Sequence, residues 1–218
     1  MTEAGLRERK KARTRRVIAD AAARLFAERG YEQVAVSDVA REAEVSEQTV
    51  YNYFQTKEQL VTDLDQDFQD QLVRLIRTRA PATNPVAAIR ELVLDAVEGI
   101  RRVPPEQWRG ELGYLAAISP TVHRLALEMS DRQAQAIAAA IRETSAVTPE
   151  LARLQGIALA GVFQIIISEA GRGTQEGQSQ DEIADELRPA IEGVLTDLDR
   201  WLTPDTSKRP RAQHPRKR

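Results

Sequence analysis

Apolar residues recur at spacings of three and four along most of the chain, and nowhere do they alternate as strands require. The pattern predicts an all-α protein of about nine helices. Val17, Ile18, Ala21, Ala22, Leu25 and Phe26 form a broad stripe on a first helix that Gly30 ends. Val36, Val39, Ala40 and Ala43 then mark the inward face of a short second helix, with Ser37, Asp38, Arg41 and Glu42 outside. Ser46 is placed to cap a third, with Glu47 in its first turn and Val50 and Phe54 pointing inward. From Lys57 a long fourth helix is predicted through Leu60, Val61, Leu64, Phe68, Leu72, Leu75 and Ile76 to Ala80, where Pro81 stops it. That is about 23 residues, roughly 35 Å of helix.

Pro85, the pair Pro104 and Pro105, Pro120 and Pro149 each open a further helix, at a first turn where the missing N–H costs nothing. The stretch 149–170 is apolar nearly all round after Leu154, with Gly156, Ala158, Ala160 and Gly161 permitting close approach. A helix of that kind must be covered on every side. A loop rich in glycine and glutamine, 171–180, precedes a final amphipathic helix from Asp181 to Leu202, which Pro189 is expected to kink. The apolar surface of these last two helices exceeds what one monomer is expected to cover, and this predicts a homodimer paired through them. The alternative is that both are internal core.

Composition narrows the classes. The chain has 218 residues and no cysteine, which excludes disulfides and cysteine-based metal or nucleophile chemistry. Its two histidines are His123 and His214, and no nucleophile elbow, phosphate-binding glycine loop, dinucleotide fingerprint or zinc motif occurs. No enzyme activity, cofactor or metal is expected. The basic N-terminus lacks an apolar leader core, and no segment is read as approaching the roughly 20 apolar residues that span a bilayer. A cytoplasmic protein with no membrane partner is the expectation.

Net charge is −2 and the sequence pI about 5.9, but the charge is polarised. Residues 1–16 carry Arg7, Arg9, Lys10, Lys11, Arg13, Arg15 and Arg16 against Glu3 and Glu8 only. A basic end on an acidic body focuses phosphate attraction at that end. The tail from residue 204, with Lys208, Arg209, Arg211, Arg216, Lys217 and Arg218, is polar and basic and is read as disordered.

Helix, tight turn and helix over 35–54 leave Gln48, Thr49, Tyr51, Asn52 and Tyr53 outward. Amide side chains pair with adenine, a threonine methyl rests on thymine, and tyrosine hydroxyls hold phosphates. Lys57 adds a point charge beside the next helix start. Geometry of this sort also occurs in helical proteins that never meet DNA. The run A-E-V-S-E-Q-T-V-Y-N-Y-F-Q-T-K-E-Q-L, together with T-R-R-V-I-A-D-A-A-A-R-L-F-A-E-R-G-Y over 14–31, resembles the signature of the TetR/AcrR family of bacterial helix-turn-helix transcriptional regulators. The similarity covers about residues 12–72 and weakens beyond about residue 80.

That resemblance implies an N-terminal three-helix DNA-binding domain over 12–72, preceded by a basic flexible arm over 1–11. A ligand-binding and dimerisation domain follows over 73–203, and then the tail over 204–218. It implies DNA contacts at Thr14, Arg15, Ser37, Ser46, Gln48, Thr49, Tyr51, Asn52, Tyr53 and Lys57, made with a palindromic operator. It also implies a fourth helix that carries a ligand signal, and a pocket for a small effector of unknown identity among helices five to eight. Trp108, Tyr114, His123, Met129, Phe163 and Gln164 are the candidates there, and an apolar or amphipathic molecule fits such residues. The function implied is a homodimeric repressor. An activator, a ligand-independent binder or a helical protein-interaction module are the alternatives. Two positions depart from the family pattern: Glu44 stands where glycine is usual, and Ala35 where threonine often caps the second helix. Ser37 is the candidate to cap in its place.

Overall fold

The computed structural model describes residues 3–62, 65–81 and 83–203, and for 3–6, 8 and 65–67 the backbone only. Nine α-helices and three short 3-10 turns make up the regular structure among these residues. The basic tail and Leu64 lie outside them.

Three helices form the N-terminal head: α1 (Glu3–Arg29), α2 (Val36–Glu42) and α3 (Glu47–Tyr53). Their core is Ile18, Ala22, Leu25 and Phe26 from α1, Val39 and Ala40 from α2, and Val50 and Phe54 at α3, all buried. Phe26 meets Tyr31 with ring centroids 5.3 Å apart. The stripe on α1 was therefore legible except at Val17, which is 42% exposed, but its start was not. The helix begins at Glu3, so 3–11 continue it where an arm was expected. No apolar periodicity marks that first stretch, because its described side chains, among them Arg7, Arg9, Lys10, Lys11 and Arg13, lie in solvent.

The body holds α4 (Asp65–Thr78), α5 (Pro85–Gly99), α6 (Leu112–Ile118), α7 (Pro120–Thr144), α8 (Pro149–Gln175) and α9 (Gln180–Leu202). Side-chain caps start most of them. The Asn84 carbonyl accepts from the Ala87 N–H at 3.0 Å, the Ser119 hydroxyl from Val122 at 3.2 Å, and Thr148 from Leu151 at 3.3 Å. At α9 the Ser179 hydroxyl accepts from the Glu182 N–H at 3.2 Å. The Glu182 carboxylate in turn accepts from the Ser179 N–H at 2.7 Å, a reciprocal box.

Several boundaries differ from the sequence reading. The predicted long fourth helix is broken: a 3-10 turn spans Glu58–Leu60, and α4 starts only at Asp65. Its 14 residues make a lever of about 21 Å. The helix expected from Pro104 is a turn and a 3-10 segment, Trp108–Gly110, followed by α6. In place of a loop over 171–180, α8 runs to Gln175 and closes on Gly177 at φ +83°, a conformation open to glycine. Pro189 lies inside α9 without ending it.

Glycines set how closely the long helices approach. A Cβ on Gly156 would meet the Ala134 carbonyl oxygen at 2.3 Å, and one on Gly171 the Gly113 carbonyl oxygen at 2.1 Å. These contacts draw α8 onto α7 and α6. By length and composition α8 could cross a bilayer, contrary to the sequence reading, yet 44% of its apolar window is buried inside the body. Phe68 of α4 meets Phe163 of α8 edge to face at 4.9 Å.

Candidate nucleic-acid interface

The second helix of the head starts without the hydroxyl that the sequence lacks. Ala35 is its N-cap and makes no side-chain bond, while the Asp38 carboxylate accepts from the Ala35 N–H at 3.0 Å. That bond, more than the nearby Arg41, holds the Asp38 carboxyl below its usual range. Ser37 therefore does not take over the cap: the helix begins before it, at Val36, and Ser37 sits partly buried in its first turn. Between α2 and α3 the chain turns through Glu44 at φ 53°, left-handed as expected for a position where glycine is usual.

Ser46 caps α3, its hydroxyl accepting from the Thr49 N–H at 3.1 Å and lying 2.8 Å from the Thr49 hydroxyl. Val50 points into the head core, and the opposite face is polar. Gln48, Tyr51 and Asn52 are exposed, Tyr51 to 44%, and the Gln48 amide donates to the Asn52 carbonyl at 3.2 Å. Thr49 is partly buried beside them. Tyr53 leans onto the head core, so it does not share the outward face.

Three further candidates are tied down inside the head. The Thr14 hydroxyl donates to the Lys10 carbonyl at 3.1 Å along α1. The Arg15 guanidinium stands 5.0 Å over the Phe54 ring, linking α1 to the end of α3. Lys57 is partly buried with its ammonium 4.2 Å above the Tyr31 ring. Burial lowers its pKa against the pull of Glu32 and Glu58. Burial, with the same two carboxylates, pushes the Tyr31 hydroxyl up to about 12. The segment after Lys57 is a single 3-10 turn, and this removes the helix start expected to help it hold an anion.

Residues 18–64 match the family model for bacterial regulatory proteins of the tetR family. The chain is also 26% identical over 150 residues to the helix-turn-helix transcriptional regulator TcmR of Streptomyces glaucescens, covering 69% of this chain and 62% of that one. It is 34% identical over 80 residues to the transcriptional repressor KstR2 of Mycolicibacterium smegmatis, covering 36% of this chain and 39% of that one. The tetR-family match lies on the three-helix head. Less than two thirds of either relative's length is matched. The TetR-like fold extends further: a SmeT complex with triclosan superposes with a TM-score of 0.60 at 16% identity, over 90% of this chain and 95% of that one.

The head is docked onto the body through α1. Gly110 lies against α1 so closely that a Cβ there would meet the Ala23 carbonyl oxygen at 1.9 Å. Leu115 and Val122 of the body join the head core, and the Ser119 hydroxyl donates to the Glu32 carboxylate. A cavity of about 670 Å³ opens at this junction, between α1 and the body helices α4 to α8. Its apolar wall includes Leu112, Met129, Phe163 and Ile166. Of the six residues expected in a pocket, Met129 and Phe163 line it.

The other four do not line this cavity. Trp108 packs on the body core with its indole N–H buried and unmatched among the described residues, and the Gln164 carbonyl oxygen is buried and unmatched likewise. Tyr114 lies against the head core with the Arg109 guanidinium 5.9 Å from its ring centroid. His123 is exposed at a separate surface depression with Ser119 and Pro120. The residues that sequence reasoning missed are Asp20, Glu111 and Gln133, all on the cavity wall. Gln133 had a signal: it follows Met129 by four on the inward face of α7. Asp20 and Glu111 had none, since only the docking of α1 on the body brings them together.

Proposed function

We propose that this chain is a homodimeric, ligand-responsive regulator of transcription that represses genes by binding a palindromic operator. The observation that carries it is the polar face of α3. Its capped start fixes the helix axis, and Gln48, Tyr51 and Asn52 stand outside with amides and a phenol in reach of a duplex. Laid in the major groove, this face reads base edges through Gln48 and Asn52 and holds phosphate through Tyr51, while Thr49 supplies a methyl. The exposed cations of α1, among them Arg13, Arg15 and Arg16, add phosphate attraction at the same end. Lys57, held over Tyr31, is a weaker contributor than its charge implies.

Dimerisation through α8 and α9 is supported by the apolar residues left outside. Leu154, Ile157 and Ile165 on α8 are 51%, 51% and 42% exposed, and Trp201 on α9 is 49% exposed. Leu154, Ile157 and Ile165 follow helical spacing along one side, with Gly161 between them. A twofold pair would cover this side and set the separation of two heads, so that half-sites fall one helical turn apart. Sedimentation at micromolar concentration should give twice the 24.3 kDa chain mass, and a monomer alone contradicts the interface.

The cavity supports effector binding by an apolar or amphipathic small molecule in the cytoplasm. Because α1 forms one wall, an occupant touches the head directly, and the coupling does not depend on a long fourth helix. Binding that favours one head position over another lowers operator affinity through a two-state equilibrium. Genomic fragments captured by the full chain test the regulator reading. Discrete fragments sharing an inverted repeat are expected, and uniform or absent capture contradicts it.

A further inference from the structure

The wall of the cavity between α1 and the body carries polar groups beside its apolar ones. Asp20 reaches it from α1, and Glu111 from the residue that joins the 3-10 turn to α6. Among the described residues neither carboxylate meets a cation within ion-pair distance, and neither accepts a hydrogen bond from a side chain. Gln133 of α7 stands on the same wall, only 7% exposed, and its amide also has no hydrogen-bond partner among the described residues. Buried polar groups are almost always paired, because leaving one unmet forfeits its hydration. Gln133 is buried, Asp20 and Glu111 are partly buried, and together on one wall they point to an occupant that supplies donors.

The sign of that occupant follows from the charges. Burial raises the Glu111 carboxyl above its ordinary range, and the neighbouring Asp20 raises it further. No arginine offsets these effects, although Arg15 and Arg16 also border the cavity. Both are exposed, and Arg15 lies over the Phe54 ring, whereas Asp20 and Glu111 are partly buried. A carboxylate ligand pushed inward would meet two like charges. A cation would relieve both.

We propose that this cavity takes an amphiphilic cation, an aliphatic amine whose charged head sits between Glu111 and Asp20, hydrogen-bonded by the Gln133 carbonyl, with its chain along Phe68, Met129 and Phe163. This rests on the effector reading of the cavity given above. It also assigns the specificity: Asp20 belongs to a helix of the DNA-binding head and Glu111 to the body, so one ammonium group bridges the two parts. An occupant of this kind holds the head in one position relative to the body, and that is the contact an effector needs.

Calorimetric titration of the full chain with decylammonium, decanoate and decanol, matched in chain length, tests the sign. Decylammonium should bind at least about tenfold tighter than either of the others, the increment of one good charge-assisted contact. Glu111→Gln and Asp20→Asn should each cut that preference several-fold. Equal or tighter binding of decanoate or decanol to the parent overturns the proposal, as does a preference that survives both substitutions. Circular dichroism checks that the variants fold, and if they do not, the ranking in the parent decides. The titrations contain no DNA, whereas fragment capture contains no amine. A chain that captures discrete fragments but ranks decanoate first refutes the amine and leaves the regulator standing.

Discussion

The head and the body solve the same packing problem by different means. In the head, α2 and α3 are seven residues each, too short to be stable alone, and their geometry is held by caps, one left-handed turn and a small core. In the body, α7 and α8 run 25 and 27 residues, and their geometry is held by how closely neighbours approach at Gly113, Gly156 and Gly171. The head therefore keeps its shape through local chemistry and frees one whole helix face for a partner. The body keeps its shape through pairwise contacts, and the cavity lies where it meets α1.

The sharpest way to break this contrast is to damage one part and watch the other. Phe54→Ala removes a ring that is 1% exposed, and should cost about 3–5 kcal/mol. Because Leu115 and Val122 belong to the same core, thermal melting should still follow one transition. Two separated transitions would mean that the head opens alone. Gly110→Ala comes next. Its Cβ would overlap the α1 backbone at Ala23, so a loss of about 1–3 kcal/mol is expected by denaturant unfolding, while Gly193→Ala, which meets nothing, should lose none.

Smaller effects probe the local rules. Glu44→Gly should gain about 1 kcal/mol, because glycine adopts the φ of 53° without penalty. A loss on the same unfolding curve would mean that the Glu44 side chain stabilises the turn. For the cavity, the raised Glu111 carboxyl means that the folded chain holds this proton more tightly than the unfolded one. Stability from this group is present at acid pH and lost as pH rises through the raised value. Glu111→Gln should thus raise Tm at neutral pH and leave it unchanged below the ordinary carboxylate range. A gain of equal size at both extremes would rule out ionisation as its cause.

These differences also explain what could be read along the chain. The inward faces of α1, α2 and α3, the Ser46 cap and the left-handed Glu44 were all legible, since each depends on residues within one or two turns. The break before α4 and the start of α1 were not. Apolar spacing continues through Leu60 and Val61 although the backbone does not, and it is silent where exposed cations extend α1. In the body Pro85, Pro120 and Pro149 marked three helices, Pro104 did not, and of the six pocket candidates Met129 and Phe163 line the cavity. Trp108 and Tyr114 are large residues at helical spacing, and they went to the two cores instead. Asp20 and Glu111 are 91 positions apart, and nothing local pairs them.

The central claim is that the outward face of α3 is what a duplex meets. It is tested most directly by the affinity of the full chain for a captured genomic fragment, compared with the triple variant Gln48→Ala, Tyr51→Ala, Asn52→Ala. None of these side chains is in the head core, so the variant should melt like the parent and bind at least about a hundredfold more weakly. Equal affinity at matched salt would contradict the account.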